Sequence, residues 1–169
     1  MSIRVLHESD IDAYQELRLR GLRTNPEAFG STYEREAKFT RETIAARIRP
    51  TDDKFVLGAF DDSDALVGVV TFVRDEGLKV RHKGSIYGMY VAPESRRQGQ
   101  GRALISELLA RARSLEGLEQ VHLSVVSDND RARQLYLSLG FEIYGVEPHA
   151  LLSDGKYSDE DMMVRKLKR

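Results

Sequence analysis

Ile86-Tyr87-Gly88-Met89-Tyr90-Val91-Ala92-Pro93-Glu94-Ser95-Arg96-Arg97-Gln98-Gly99-Gln100-Gly101-Arg102-Ala103-Leu104 is the stretch from which the rest of the chain can be read. Tyr87, Tyr90 and Val91 suit a strand, and Pro93 ends it because proline donates no ladder hydrogen bond. Gly99 and Gly101 let the backbone turn with positive φ and come close to a ligand. Ala103, Leu104, Leu108, Ala112 and Leu115 then recur at helical spacing. The first N–H groups of a helix have no internal partner, and the helix dipole adds partial positive charge there. A phosphate satisfies both conditions, and Arg96, Arg97 and Arg102 surround the turn with formal charge. A glycine turn before an ordinary helix is the simpler alternative; three arginines and a strand directly ahead weigh against it.

Two nucleotide-binding patterns fail on stated residues. A P-loop needs Gly-Lys-Ser/Thr after its first glycine, and none occurs. A dinucleotide fingerprint needs a third glycine or alanine where this chain has Leu104, which would obstruct close helix–strand packing. What remains resembles the GNAT superfamily of acyl-CoA-dependent N-acyltransferases. Its signature, Q/R-x-x-G-x-G/A after a strand ending in V-x-P, matches Val91-Ala92-Pro93 and Arg96-Arg97-Gln98-Gly99-Gln100-Gly101. A second motif, N-x-x-A-x-x-x-Y-x-x-x-G-F, resembles Asn129–Phe141, with Ala132, Tyr136 and Gly140 in place.

The whole chain of 169 residues suits one domain, 1–169. Its 26 basic and 27 acidic residues leave a net charge of −1, which argues against a general nucleic-acid or membrane-surface role. The arginines near the turn are therefore a local device. Without cysteine there is no disulfide and no thiolate nucleophile. No apolar run approaches a membrane span, and no signal-peptide core opens the chain. A cytoplasmic protein is the expectation.

Ile3–His7 reads as a first strand, and Ser9 or Asp10 as the cap of a helix reaching Thr24. Glu27–Lys38 is polar with Phe29 and Tyr33 inserted; Thr40 opens a short helix closed by Pro50. Phe55–Phe60 and Leu66–Val73 are strands joined by an aspartate-rich turn, and the second pairs with Ser85–Val91. Gln120–Val126 makes a buried strand, and Asp128 or Asn129 caps the next helix, which Gly140 ends. Strands at Phe141–Val146 and Met162–Lys166 finish the sheet. The helix between Val91 and Gln120 is a crossover, so the strands on either side should run parallel. The fold class is α/β, a mixed sheet of about seven strands. The resemblance implies the GNAT fold: an antiparallel first half, a splayed parallel pair in the centre, and four helices around it.

The resemblance further implies that the splayed pair takes the pantetheine arm of acetyl-CoA as an added strand. Met89, Tyr90 and Val91 are expected to contact it through their backbones. Arg96, Arg97, Gln98, Gly99, Gln100, Gly101, Arg102 and Ala103 would hold the pyrophosphate, and Asn129 the arm. The acceptor is expected to be a primary amine, on a small molecule or a protein. An alkylammonium with pKa about 10.4 is neutral in only about one molecule in ~10³ at pH 7, so a base or water path must remove its proton. The Val91 or Met89 amide is the candidate donor to the developing oxyanion. The leaving thiolate, like a thiol of pKa about 8.5, can take a proton from a phenol near pKa ~10. Tyr136 stands where the family places that acid; plain core packing beside Ala132 and Leu139 is the alternative. Phe29, Tyr33, Glu34, Asp128 and Glu160 are the candidate acceptor residues. Glu36 and Asp159 are further candidate bases, each more ordinarily a solvated charge. The four histidines are scattered, and neither H-E-x-x-H nor another metal spacing occurs, so no metal is expected. A silent acyl-CoA-binding module and a phosphate-binding interaction protein are the competing classes. Many family members pair as homodimers.

Overall fold

The β-branched and aromatic runs of the N-terminal half form a meander. In the computed structural model, which describes residues 1–167, β1 (Ser2–Val5), β2 (Lys54–Phe60), β3 (Leu66–Arg74) and β4 (Lys83–Val91) pair antiparallel in succession. β5 (Gln120–Val126), β6 (Glu142–Ser153) and β7 (Lys156–Lys166) complete a seven-stranded sheet of order β1-β2-β3-β4-β5-β7-β6. The helices are α1 (Ile11–Thr24), α2 (Tyr33–Glu36), α3 (Arg41–Ile48), α4 (Gln100–Arg113) and α5 (Asp130–Ser138). The sequence reading has four of them; the fifth, α2, is a single turn whose cap, Thr32, accepts the Arg35 N–H.

Strand alternation divides the core into two layers. Leu57, Val70, Phe72, Leu104, Leu108 and Val121 are buried together on the α4 side of the sheet. Leu17, Ile48, Val56, Phe60, Val69 and Tyr90 are buried together on the α1 and α3 side. Each fully buried Leu, Val or Phe contributes roughly 1.5–3 kcal/mol relative to exposure. Glu36 is also completely buried in that second region. Its carboxylate accepts from Arg18 Nε at 3.0 Å and Nη2 at 2.9 Å, and from Arg47 Nη1 at 2.7 Å. These bonds tie α2 to α1 and α3, so the wall they form is fixed by charge as well as by packing.

β4 and β5 run parallel, as the crossover requires, but only three rungs join them: Lys83↔Gln120, Gly84↔Val121 and Ser85↔His122. Beyond Ser85, β4 stays paired to β3 as far as Val91. β5 likewise stays paired to β7 from Gln120 to Val126. The two neighbours therefore part, and a wedge opens between residues 86–91 and 123–126. A bulge at this point, where Gly88 and Met89 of β4 oppose the single Val70 of β3, holds Gly88 at φ +61°. The bulge turns β4 away from β5.

Three local expectations need correction. Asp10 precedes α1, but its side chain makes no cap bond to that helix. It accepts from both terminal nitrogens of Arg4 at 2.9 Å and from the His7 N–H, because a charged bidentate partner outcompetes a lone amide. The last two strands are longer than expected and form one hairpin, closed by Asp154 and Gly155 at φ +50° and +74°. Two positive φ values in a two-residue loop match strand twist, so pairing runs to the tip. Bulges in β6 break the alternation that would have marked the strand. Finally, β5 is not buried throughout: Val121, Leu123 and Val125 face the core, while on the other face Ser124 is exposed, Gln120 and His122 are half-buried, and Val126 at its end is buried.

Candidate active site

Along the wedge lies a cavity of about 710 Å³, lined by parts of β4, β5, α5, β6 and β7 and by the Phe29–Ser31 segment. Met89, Val125, Val126, Asn129, Ala132 and Tyr136 line it, as do Phe29, Tyr87, His122, Tyr144, Leu151 and Glu160. The volume suits one extended organic ligand.

The backbone at the wedge is prepared for a ligand. Ala92 N–H donates to the Val67 carbonyl at 2.8 Å. In an antiparallel ladder the next residue points the other way, so the Val91 peptide faces the wedge. Its carbonyl there accepts Arg96 Nε at 2.9 Å. Arg96 also donates to Asn25 Oδ1 at 2.9 Å and lies over the Tyr90 ring. It is a strut between β4 and the end of α1, held through Nε and Nη2. Tyr90 is likewise a packing residue by side chain: buried, against Phe29, with its hydroxyl 2.9 Å from Thr24 Oγ1.

The glycine turn takes the expected shape. Arg97 and Gly99 both have positive φ, +64° and +81°, which makes a concave run of peptide nitrogens. The first ladder bond here is Ala103 N–H to Gly99 carbonyl at 3.0 Å. The N–H groups of Gln100, Gly101 and Arg102 therefore lie ahead of the helical ladder and point outward. A Cβ on Gly101 would meet Met89 Cε at 3.1 Å, so glycine keeps the turn close to the strand. Gln98 and Arg97 are exposed. Gln100 is buried, with Oε1 unpartnered among the described residues. Arg102 reaches Ser138 Oγ at 2.7 Å, joining α4 to α5.

Asn129 is the cap of α5, accepting the Ala132 N–H at 3.2 Å, and it lines the cavity at the same time. Tyr136 is 6% exposed, stands edge-on to Phe141, and lines the cavity. Burial pushes its hydroxyl up to about 12.

Among the candidate acceptor residues, Phe29 and Glu160 line the cavity; Tyr33, Glu34 and Asp128 do not. Tyr33 instead holds Arg23, by a 2.8 Å hydrogen bond and by ring contact. Glu34 and Asp128 are exposed. Burial would raise the Glu36 carboxyl, but hydrogen bonds from Arg18, Ser31 and Arg47 outweigh it and hold it at about 2, so it is no proton acceptor near neutrality. Asp159 accepts the His149 N–H at 2.8 Å. Glu160 is raised, by burial and by Glu147 across the hairpin.

Sequence reasoning passed over Arg18, Tyr87, His122, Ser124 and Tyr144, all on the cavity wall. For His122 and Ser124 a signal existed: Gln120, His122 and Ser124 alternate with Val121, Leu123 and Val125, the mark of a half-buried strand. For Tyr144 none did, since β6 carries no clean alternation.

Comparison with known proteins agrees with this architecture. Residues 14–141 match the model of the Acetyltransferase (GNAT) family, and the chain belongs to that family of acyltransferases. It is 36% identical over 133 residues to a mycothiol acetyltransferase of Geodermatophilus obscurus, covering 75% of this chain and 41% of that protein. The chain thus spans about two fifths of the length of that relative. In fold it is similar to a GNAT acetyltransferase of Streptococcus pneumoniae, with TM-score 0.86 and 24% identity over 98% of both chains. It is also similar to a Sinorhizobium meliloti phosphinothricin acetyltransferase solved with acetyl-CoA, with TM-score 0.84 and 22% identity over 98% of this chain and 88% of that one. Among the described residues no helix is long and apolar enough to cross a membrane, and no group of three or more His, Asp or Glu is placed to hold a metal ion.

Proposed function

We propose that this chain transfers the acetyl group of acetyl-CoA to a primary amine by direct attack. The observation that carries the reading is the wedge between β4 and β5, beside a helix start whose N–H groups are free. The residues present fit acetyl-CoA: a diphosphate needs several convergent donors, and the run from Arg97 to Arg102 offers them. The amide-bearing arm needs strand-like partners, and the parted edges of β4 and β5 supply them.

Bound acetyl-CoA supplies a thioester carbonyl and a thiolate leaving group. The Val91 peptide, facing the wedge, or the Met89 peptide at the bulge donates to the carbonyl oxygen as negative charge develops. Tyr136 is fully protonated at neutral pH and directs a hydrogen bond at the leaving sulfur. Complete proton transfer from a phenol at about 12 to a thiolate of pKa about 8.5 is uphill by roughly 5 kcal/mol. Tyr136 therefore stabilises the departing thiolate chiefly as a hydrogen-bond donor, the proton following as the thiol leaves. Glu160, with no cationic partner among the described residues, attracts the ammonium form of the acceptor, and Phe29 packs against its carbon skeleton.

The experiment is thiol release from acetyl-CoA with a panel of primary amines: a simple alkylamine, amino-sugar and amino-acid amines, and lysine and N-terminal peptides. Amine-dependent thiol release supports the reading. Tight acetyl-CoA binding with no release for any amine overturns it in favour of a silent binding module.

A further inference from the structure

We infer that His122, through its Nδ1 atom, takes the proton that the acceptor ammonium must lose before attack. The inference rests on the acetyl transfer proposed above and names the group that reading left open.

The position comes first. His122 forms the last rung of the β4–β5 pair, opposite Ser85, where the wedge begins. Its side chain lies on the β5 face opposite Leu123 and Val125, and it lines the same cavity as Tyr87 and Glu160. An amine held by Glu160 therefore shares a space with both the imidazole and the mouth of the wedge.

The tautomer is fixed by a neighbour. Nε2 lies 2.6 Å from Gln120 Oε1. An amide oxygen only accepts, so Nε2 carries the hydrogen and Nδ1 keeps its lone pair. Nδ1 faces the Tyr144 hydroxyl at 3.4 Å, a loose contact. The Tyr144 ring stands edge-on to the imidazole, at 5.6 Å and 80°, and holds it in place. The lone pair is thus oriented but not consumed.

Charge keeps the ring neutral. Burial, then Lys83, lower its pKa below the ordinary value of 6.5; Asp75 opposes, and His82 adds a lowering effect. Lys83 and Asp75 are themselves 4.0 Å apart and act on the ring in opposite directions. Gln120 is an uncharged amide, and Val164, opposite on β7, is apolar. Above about pH 6.5 the imidazole is therefore free to accept.

The alternatives in the cavity serve less well. An alkylammonium near 10.4 exceeds an ordinary imidazole by about 4 units and an ordinary carboxylate by about 6; burial lowers His122 and raises Glu160, which narrows that difference. What separates the two is the oriented Nδ1 lone pair of His122 at the start of the wedge. The balance closes: one ammonium proton goes to Nδ1 and from there to solvent, the neutral amine nitrogen bonds the acetyl carbon, the carbon–sulfur bond breaks, the sulfur takes the Tyr136 hydroxyl proton, and the second surplus proton of the nitrogen restores that hydroxyl, leaving amide and thiol.

The test is the pH profile of kcat/KM for thiol release, using an amine that the wild-type protein accepts. The wild type should lose rate as pH falls through a pKa below 6.5. His122→Gln should abolish that acidic limb and lower the rate at pH 7.5 about 10²-fold, with KM for acetyl-CoA unchanged. Glu160→Gln should keep the limb and raise KM for the amine. Imidazole nitrogen shifts, measured by NMR on the wild type at pH 7, should show a neutral ring with its hydrogen on Nε2. An unchanged acidic limb in a folded His122→Gln, or a cationic or Nδ1–H ring at pH 7, overturns the inference alone. No thiol release by the wild type with any amine overturns the transfer reading, and this inference with it.

Discussion

Tyr136 separates a packing role from a chemical one. Removing only its hydroxyl, in Tyr136→Phe, leaves the edge contact with Phe141. A core tyrosine without a chemical task would tolerate this with little loss of rate. If the hydroxyl meets the leaving sulfur, kcat should fall 10²–10⁴-fold, with the melting temperature within a few degrees of wild type; stopped thiol-release assays and calorimetry read both. Glu36 makes the opposite case, a carboxylate whose task is structural. Its folded pKa of about 2 lies below the ordinary 4.5. A lowered pKa means its contribution is present above pH 4.5 and is lost as pH falls toward 2; the size is about 3 kcal/mol. Urea midpoints should therefore fall as pH drops from 5 to 3 in the wild type. Glu36→Gln, which leaves Arg18 and Arg47 facing a neutral amide, should be 3–5 kcal/mol less stable at pH 7 and show a flatter acid profile.

The bulge in β4 is the element on which the cleft depends. Gly88 sits at φ +61°, and a Cβ there would lie 3.2 Å from Arg18 Nη1. Gly88→Val would meet both penalties, about 1–2 kcal/mol for the left-handed backbone and a shift of an arginine tied to buried Glu36. Such a variant should lose acetyl-CoA affinity at least tenfold by isothermal titration, since β4 can then straighten toward β5. How much of these elements was legible varies along the chain. The strand–turn–helix around Pro93–Gly101 declares itself because proline, paired glycines and helical spacing are local signals. So is the cap at Asn129, confirmed by its bond to Ala132 N–H. The reach of β6 was illegible because its two bulges hide the alternation. Asp10 was misread because the arginine that claims it lies in a neighbouring element.

At the scale of the molecule, a ligand that binds across the wedge should stabilise both halves of the sheet together. Acetyl-CoA at about 100 times its Kd should add ~2.7 kcal/mol, a rise of roughly 5–10 °C in Tm for a domain of this size. ATP, which shares the phosphates but lacks the arm, should give less than half of that in the same thermal-shift experiment; equal shifts would show that the wedge contributes nothing. The sequence by itself determined the order of elements, the glycine turn at the start of α4, the parallel crossover and the family resemblance. Each rests on residues close together in the chain, where backbone preferences and helical or strand periods act. The tertiary structure alone decided which charges are spent and which are available. It paired Glu36 with two arginines, turned Arg96 into a strut, and left Tyr33, Glu34 and Asp128 outside the cavity. It brought His122 of one strand, Glu160 of another and Phe29 of a distant loop around one space. A side chain's partners across the sheet are set by packing and register, and those are properties of the folded chain as a whole.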